Sequence, residues 1–236
     1  MTQKNKNSIN NFPKFGIKVY SLLVENFPHT YLVGGCVRDF LLGKKSSDID
    51  ICTTANPQEV EKILINYHVP YNKPNINFGI ITTKQSKCRV EISTLRKETY
   101  TTSRYPKITY IKSLKQDAKR RDFTINCLYL NLKTGKIIDY YNGIRDIKNQ
   151  KIKFVGKPDK KIIQDPLRII RALRFCLQLN FKLDFKTKFA VKNNFALVKN
   201  LTKNIIQKEI FKLKNTLHQK ILQNAINSQK MLDNYF

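Results

Sequence analysis

The stretch that most restricts how this chain can fold is YLVGGCVRDFLLGKKSSDIDI, residues 31–51. A short apolar segment ends at Gly34-Gly35, and a run with helical spacing follows and closes at Gly43. The segment DIDIC then alternates polar and apolar side chains, which is the pattern of a half-buried strand. These residues predict a strand, a tight turn, a helix and a second strand in immediate succession.

The two aspartates of DIDIC raise a chemical question. Asp48 and Asp50 are two positions apart on the predicted strand, so both point to one face while Ile49 and Ile51 enter the core. Two carboxylates held this close repel each other unless a cation lies between them, and Mg²⁺ with oxygen ligands is the usual solution at phosphoryl-transfer sites. Glu91, on the polar face of a neighbouring predicted strand, could supply a third carboxylate. The alternative is an ordinary acidic strand face, because the pattern DxD is common.

The neighbouring glycine turn favours a metal site over an ordinary acidic strand face. Gly34 and Gly35 lie between a strand and a helix, where bare backbone N–H groups and the helix dipole favour an anion. Arg38, one turn into the helix, carries a forked and permanently charged donor that can reach the same phosphate. Together with the two aspartates, these residues predict a triphosphate-binding turn beside a metal site.

The rest of the chain divides into two kinds of pattern. We expect residues 97–117 to form a polar, irregular and mobile loop, and we expect strands to stop near residue 152. The apolar spacing elsewhere predicts a helix near 15–23, a helix capped by Asn56, a hairpin of 78–83 with 88–95, a helix over 118–130, a strand at 136–141, a short helix after it, and a helix from Asp165 through Leu179. The layout is a mixed α/β region of about 150 residues followed by an all-helical segment.

The charge of the chain indicates its partner. Lysine and arginine total 44 against 17 acidic residues, a net charge of +27, which is expected of a protein that binds a polyanion. Residues 151–236 carry 19 basic and five acidic side chains, so the charge is spread over the whole chain and suggests a long cradle for nucleic acid. A genome biased towards lysine, asparagine and isoleucine is the alternative explanation.

The remaining composition bears on location. The five cysteines are scattered, odd in number and without CxxC spacing, which favours buried thiols in a reducing compartment over disulfides or zinc. No apolar stretch approaches the ~20 residues that a membrane span needs, and the polar N-terminus lacks the apolar segment of a signal peptide. We therefore expect a soluble, cytoplasmic protein with no membrane partner.

Three segments carry a family resemblance. LVGGCVRDFLLGKKSSDIDI, RRDFTIN and DPLRIIRALRF resemble conserved blocks of the class II tRNA nucleotidyltransferases (CCA-adding enzymes) and the bacterial poly(A) polymerases. The similarity runs from Tyr31 to Phe181, with the blocks in family order and spacing. The resemblance implies an α+β fold: a polymerase-β-like nucleotidyltransferase head with a mixed sheet and flanking helices, followed by an all-helical neck. We expect residues 1–150 to form the catalytic head and 151–236 the neck, which binds nucleotide and RNA.

The resemblance also implies roles for the head residues. Asp48 and Asp50 would hold two Mg²⁺ ions, one lowering the pKa of the primer 3′-hydroxyl and one neutralising the triphosphate and the departing pyrophosphate; Glu91 completes the predicted catalytic set. The predicted nucleotide-binding residues in this region are Gly34, Gly35, Arg38, Arg120, Arg121, Asp122 and Asn126. Arg120, Arg121 and Asp122 match a block that contacts sugar and phosphates, and we expect Asn126 on the same helical face. The alternative for that block is a solvated helix face with an internal salt bridge.

In the neck, Asp165 and Arg168 match the family's protein template for the base. A carboxylate can accept from an exocyclic amino group while a guanidinium donates to a ring acceptor, so the pair could accept CTP and ATP and reject GTP and UTP. Arg171 and Arg174 follow Arg168 at intervals of three residues, on one side of the predicted helix, and the resemblance directs them towards nucleotide phosphates. A merely solvated basic face is the alternative for Arg174.

The leading hypothesis is a template-independent RNA nucleotidyltransferase that adds C and A residues to the 3′ end of tRNA from CTP and ATP. A poly(A) polymerase, a CC-adding or an A-adding enzyme uses the same chemistry, and a non-catalytic RNA-binding module is the rival of another class.

The chain departs from the family pattern in three ways. Gln164 stands where the family has an acidic residue before the aspartate, and Cys127 stands where it has alanine. Family members continue past the neck into body and tail domains that grip tRNA, and because this sequence stops at Phe236 we expect those domains to be largely missing. We therefore expect that the basic neck helices hold the RNA, that a dimer does, or that the sequence is reduced or partial.

Overall fold

The computed structural model describes residues 12–101 and 105–228. The chain forms two compact units. The sheet unit comprises residues Met1–Thr99, Pro106–Arg121 and Asn126–Ile144, and the helical unit comprises Tyr100–Tyr105, Asp122–Ile125 and Arg145–Phe236. The predicted division of labour between a catalytic head at 1–150 and a nucleotide- and RNA-binding neck at 151–236 stays a prediction.

The sheet unit alternates helices and strands. Its helices are α1 Lys14–Asn26, α2 Gly35–Leu41, α3 Pro57–Asn66 and α4 Leu114–Arg120. Its strands are β1 Thr30–Val33, β2 Asp48–Thr53, β3 Asn72–Asn75, β4 Ile80–Gln85, β5 Cys88–Thr94, β6 Arg96–Thr99, β7 Lys107–Tyr110, β8 Leu128–Leu130 and β9 Ile137–Asp139. A short 3₁₀ turn occupies Ile76–Phe78, and a second, Thr124–Asn126, spans the boundary in sequence between the helical unit and the sheet unit.

Seven of these strands form one mixed sheet in the order β3-β4-β5-β2-β1-β8-β9. β2 and β5 run parallel, whereas the other neighbours in the sheet are antiparallel. β6 and β7 form a separate antiparallel pair. The mixed sheet with flanking helices confirms the predicted fold class.

Helix α1 fixes the position of β2. Its apolar face, which includes the fully buried Val19 and Leu23, packs on β1, β2 and β5. Gly16 allows this close approach, because a Cβ at that position would lie 2.7 Å from Cγ1 of Ile49. Ile49 and Ile51, which alternate with the aspartates of β2, are both buried, so they hold this strand against the core.

The helical unit contains α6 Pro158–Gln164, α7 Leu167–Leu179, α8 Phe185–Asn193, α9 Lys203–Ile210 and α10 Thr216–Asn227, with a 3₁₀ turn at Phe195–Asn200. A short helix, α5 Gly143–Lys148, precedes them, and β10 Lys151–Ile152 pairs in parallel with β11 Lys182–Leu183. The core of the helical unit includes Phe123. The Phe123 ring stacks on Phe154 with 4.7 Å between the ring centroids and lies edge-to-face with Phe175 at 5.5 Å. None of the helices in the described parts of the chain is long and apolar enough to span a membrane.

Most predicted elements are confirmed, but three predictions are wrong. The predicted loop at 97–117 contains β6, β7 and most of α4, although its residues 102–104 lie outside the described residues. Side chains of β7 are mostly exposed, so this strand lacks the apolar alternation by which a half-buried strand is recognised.

The predicted helix over 118–130 ends at Arg120, because Arg121 leaves the helical region with φ −61° and ψ 157°. Leu128–Leu130 then forms β8, which is buried at every position, and a short apolar run of this kind has no period that separates helix from strand. The expectation that strands stop near residue 152 is also wrong, since β11 pairs with β10.

Candidate functional site

Asp48 and Asp50 lie at the start of β2. Asp48 is exposed and Asp50 is half-buried, while Ile49 between them is buried, as the alternation predicts. The parallel register of β2 and β5 pairs Asp50 with Glu91. The sheet therefore brings the three predicted carboxylates to neighbouring positions on two adjacent strands.

The surroundings of Asp50 favour its neutral form. Burial raises the pKa of Asp50 to about 6, and the Glu91 and Asp48 carboxylates also act to raise it, against the opposing effects of Arg121 and of the Gly35 backbone N–H. Glu91 lies 3.7 Å from the exposed Arg89, in a partly solvated ion pair.

A divalent cation would relieve this crowding, and the donors are the hard oxygens that Mg²⁺ prefers. Within residues 12–101 and 105–228, no group of three or more His, Cys, Asp or Glu side chains is arranged to hold a metal ion. The assignment of Asp48 and Asp50 as metal ligands stays a prediction. Glu91 remains a predicted third carboxylate.

The glycine turn is fitted to Asp50. Gly34 has a φ of 77°, and a Cβ at this position would lie 3.0 Å from Oδ2 of Asp50. The backbone N–H of Gly35 donates to the Asp50 carboxylate. A larger residue at position 34 would therefore meet both a strained backbone and the carboxylate. The predicted contact of Gly34 and Gly35 with phosphate stays a prediction.

Arg38 is buried, and its partners include Asp39 and Asn126. Its Nε and Nη2 donate to Oδ1 of Asp39 at 2.9 and 2.8 Å, and its Nη1 donates to Oδ1 of Asn126 at 2.7 Å. The sheet unit thus brings Asn126 to Arg38 across 88 positions of sequence. The expectation that Asn126 shares a helical face with the Arg-Arg-Asp block is wrong, because the helix ends before it.

Sequence reasoning missed Asp117, which holds both arginines of the Arg-Arg-Asp block. Its fully buried carboxylate accepts from Nε of Arg120 at 2.7 Å, Nε of Arg121 at 3.1 Å and the hydroxyl of Tyr129 at 2.9 Å. Burial alone would raise the pKa of Asp117, but Arg121 and Arg120 outweigh it and hold this pKa well below its ordinary value. The spacing of three and four residues on one helix was the available signal.

Glu98 extends this cluster. Its Oε1 lies 3.1 Å from Nη2 of Arg96 and 3.3 Å from Nη1 of Arg120, and the Glu98 side chain is almost fully buried. Arg120 is therefore held from two sides, by Asp117 and by Glu98. The alternative of a solvated helix face is wrong for Arg120 and Arg121, whose side chains are mostly buried in ion pairs.

Asp122, the third residue of the block, belongs to the helical unit. Its Oδ2 accepts from Nε of Arg171 at 2.7 Å and also from Nη2 of the same guanidinium. Burial would raise the pKa of Asp122, but Arg171 brings it down to about 2. The residues of one sequence motif are thus used by two different clusters.

The predicted base-reading residues lie at the start of α7. Arg168 is buried; its Nη1 donates to the Lys161 carbonyl at 2.7 Å and to Oε1 of Gln164 at 3.2 Å, and its Nη2 to the Tyr100 hydroxyl at 3.1 Å. Asp165 is half-buried, and its Oδ1 accepts from the Leu167 N–H at 3.2 Å. Gln164, where the family resemblance implies an acidic residue, therefore supplies an oxygen that orients Arg168.

Arg171 and Arg174 share a carboxylate that sequence reasoning missed. Glu209 of α9 accepts from Nε of Arg174 at 2.8 Å and lies 3.8 Å from Nη1 of Arg171. Arg174 is only 5% exposed and lies 4.1 Å from the centre of the Phe175 ring. Burial lowers the pKa of Arg174 to about 10, and Glu209 limits this fall. The alternative of a solvated basic face is therefore wrong for Arg174.

The fold and these clusters define a class of protein: a nucleotidyltransferase-type head, in which two aspartates at the start of a central strand adjoin a Gly-Gly turn, joined to a helical segment. The family described as the poly A polymerase head domain matches residues 30–153, and the chain belongs to this family.

Similar proteins agree with this assignment. The chain is 40% identical over 185 residues to a CCA-adding enzyme of Lactobacillus helveticus, covering 78% of this chain and 45% of that protein. It is 39% identical over 189 residues to a CCA-adding enzyme of Enterococcus faecalis, covering 78% and 44%. The chain therefore spans less than half the length of these relatives.

Solved structures show the same fold. The Bacillus stearothermophilus CCA-adding enzyme in complex with CTP has a TM-score of 0.72 at 30% identity, covering 82% of this chain and 46% of that one. A tRNA nucleotidyltransferase complexed with a primer tRNA and an incoming ATP analog has a TM-score of 0.68 at 34% identity, covering 84% and 57%. The predicted family resemblance is confirmed.

Proposed function

We propose that the chain carries the nucleotidyl-transfer site of a template-independent RNA nucleotidyltransferase, which adds C and A residues to the 3′ end of tRNA from CTP and ATP and releases pyrophosphate. The observation that carries this proposal is the crowded pair Asp48 and Asp50 beside the Gly34-Gly35 turn. The relatives named as CCA-adding enzymes, and the similar structures described with CTP and with primer tRNA, support it.

Asp48 and Asp50 would hold Mg²⁺, and two ions is the number that the family's chemistry suggests. When bound, the ions would activate the primer 3′-hydroxyl and stabilise the charge on the triphosphate. The residues fit this role because Asp50 already lies among carboxylates with too little compensating charge. Its Gly35 hydrogen bond fixes the carboxylate before a cation arrives.

The arginines of the sheet unit would bind phosphate. Arg38 is oriented by Asp39 and Asn126, and Arg120 and Arg121 are oriented by the buried Asp117. A guanidinium fixed in advance loses less conformational entropy when it binds an anion than a free side chain does. We infer that Asp117 and Asn126 position these donors and do not contact the substrate themselves.

The helical unit would choose the base. Asp165 would accept the exocyclic amino group that cytosine and adenine share, and Arg168 would donate to the adjacent ring nitrogen. The three oxygens that hold Arg168 support this role, because a base is discriminated best by a donor that cannot turn away. Arg171 and Arg174, predicted to face phosphates, are engaged with Asp122 and Glu209, which suggests that they stabilise α7 in its place.

The partner and location follow from the same proposal. The net charge of +27 supports binding of tRNA, and five buried cysteines without disulfides suit a cytoplasmic enzyme. Sedimentation of the full chain would measure whether it forms the dimer considered above.

The test uses three tRNAs, which lack the terminal CCA, CA and A, respectively. Each is incubated with the full chain, Mg²⁺ and one labelled nucleotide at a time. The proposal expects CTP to be used by tRNAs that lack one or both C residues, and ATP by the tRNA that ends in CC. Addition of long A tails to any RNA end would indicate a poly(A) polymerase. Use of only CTP or only ATP would indicate a partial activity, and RNA binding with no addition would contradict the proposal.

A further inference from the structure

Helix α8, Phe185–Asn193, already has a packed inner face. Thr187, Ala190 and Val191 are buried, and Oγ1 of Thr187 accepts from the Phe154 N–H at 3.3 Å. These buried residues form the side of α8 that faces the core of the helical unit.

The outer face of α8 carries two phenylalanines. Phe185 is 82% exposed and Phe189 is 60% exposed. They are four positions apart on one helix, so their Cβ atoms lie only about 5–6 Å from each other. Single exposed apolar residues are ordinary, but adjacent exposed rings outside an already packed face indicate a surface that another molecule covers.

All the charged residues within α8 are lysines. α8 contains Lys186, Lys188 and Lys192 and no acidic residue, and the carboxylate of Asp184 before it caps the helix by accepting from the Thr187 N–H at 3.4 Å. Lys186 and Lys192 each lie three positions from Phe189 and are exposed. Lysine is depleted in the cores of protein–protein interfaces, whereas aromatic rings among lysines are typical of surfaces that bind single-stranded nucleic acid.

We propose that this outer face, defined by Phe185, Lys186, Phe189 and Lys192, binds an unpaired stretch of the RNA substrate. The two rings stack on bases, and the lysines contact the phosphates between them. The proposal rests on the proposed function for the identity of the RNA, but the binding itself requires neither Mg²⁺ nor nucleotide.

The experiment measures the Kd of the full chain, without Mg²⁺ or nucleotide, for a labelled single-stranded RNA and for a tRNA lacking its terminal CCA. Three double variants are compared: Phe185→Ala with Phe189→Ala, both to Leu, and both to Trp. The matched control is Ile65→Ala, which removes a 55% exposed apolar side chain from α3 of the sheet unit. Circular dichroism and thermal unfolding verify that each variant is folded.

We expect the Ala and Leu pairs to weaken RNA binding at least about tenfold, because each stacked base contributes substantially to affinity. The Trp pair should bind at least as tightly as wild type, and Ile65→Ala should bind as wild type does. Lys186→Gln should lower the slope of log Kd against log salt by about 0.7, the value for one phosphate contact with a single strand.

Unchanged RNA affinity in the Ala pair overturns the proposal. Wild-type affinity in the Leu pair also overturns it, since an apolar contact without stacking would then suffice. A change of oligomeric state on sedimentation, with RNA affinity intact, would assign the face to a second copy and overturn it too. If the binding pattern holds while wild type adds no nucleotide, this surface stands and the proposed function fails.

Discussion

Acidic residues have opposite roles at the start of β2 in the sheet unit and around α7 in the helical unit. Asp48, Asp50 and Glu91 in the sheet unit are crowded together, and the pKa of Asp50 rises to about 6. Asp122 and Glu209 in the helical unit are each bound to arginine, and both have lowered pKa values, that of Asp122 to about 2. The same side-chain chemistry therefore prepares one region to receive a cation and the other to hold cations that the chain already supplies.

The difference explains why carboxylates alone do not mark a functional site. An ion pair satisfied within the fold stabilises the position of its arginine, whereas a carboxylate cluster without matching charge stores unfavourable energy that a ligand can relieve. Four predictions test this difference between the two sites.

The largest effect is expected at the β2 aspartates. Asp48→Ala or Asp50→Ala should reduce nucleotide addition at least ~10²-fold, because several kcal/mol of transition-state stabilisation is lost with the metal. RNA affinity should persist, since it comes from the basic surface. The measurement is single-turnover addition with Mg²⁺ alongside RNA binding; more than a few per cent of residual activity would show that these residues do not hold the metal.

The next effect concerns the carboxylate that holds the α7 arginines. Glu209→Ala should lower the free energy of unfolding by about 3–5 kcal/mol, because it leaves the buried Arg174 without a counter-charge and removes one of the two carboxylates beside Arg171. Urea unfolding monitored in the helical unit measures this loss. Glu25→Ala, at an exposed position of α1, is the control and should change stability by less than about 0.5 kcal/mol. Equal effects in the two variants would remove the structural role of Glu209.

The free energy of unfolding should depend on pH in opposite directions for the two kinds of carboxylate. The folded-state pKa of Asp122, about 2, lies below its ordinary value of 3.8, so its contribution is present above pH 4 and is lost as pH falls from about 4 to 2. The folded-state pKa of Asp50, about 6, lies above 3.8, so its favourable contribution is present below pH 4 and is lost as pH rises from about 4 to 6.

At pH 7 without Mg²⁺, Asp50→Asn should therefore raise the free energy of unfolding, by about 2 kcal/mol, while Asp122→Asn should lower it by a similar amount. Thermal and urea unfolding at pH 7 and pH 4 measure both. A loss of stability in both variants would mean that Asp50 is compensated like Asp122, and the comparison between the units would fail.

The smallest effect is expected in base choice. Asp165→Ala should reduce the preference for CTP and ATP over UTP and GTP by about tenfold to 100-fold, because an unpaired buried polar group costs only about 1–3 kcal/mol. Incorporation of each nucleotide on a tRNA lacking its terminal residues measures the ranking. Arg168→Ala is the companion variant, and an unchanged ranking in both would place base recognition elsewhere.

Local patterns in the sequence were sufficient for much of the fold. The strands β1 and β2, the helix between them and the Asn56 capping box are all confirmed, because each depends on residues within a few positions of one another. The same reasoning failed at Leu128–Leu130 and at Lys107–Tyr110, where one segment is buried throughout and the other largely exposed. Neither burial pattern has a period from which secondary structure can be read.

At the candidate site, the local sequence pattern was enough to predict which face of β2 carries the two aspartates. The strand period places Asp48 and Asp50 on one face, and a positive φ at Gly34 suits the only residue type without a Cβ. The family blocks are likewise continuous stretches of sequence, so each block can be recognised without knowledge of its tertiary contacts.

Tertiary packing determines which partner each charged group has. Asn126 reaches Arg38 across 88 positions, and Glu209 reaches Arg174 across 35. It also divided one motif, giving Arg120 and Arg121 to Asp117 and Asp122 to Arg171. The physical reason is that a buried charge must be paired, but the pairing depends on which element packs against it. Sequence periodicity reports only the neighbours within one helix or strand, so it cannot name a partner that packing brings from elsewhere.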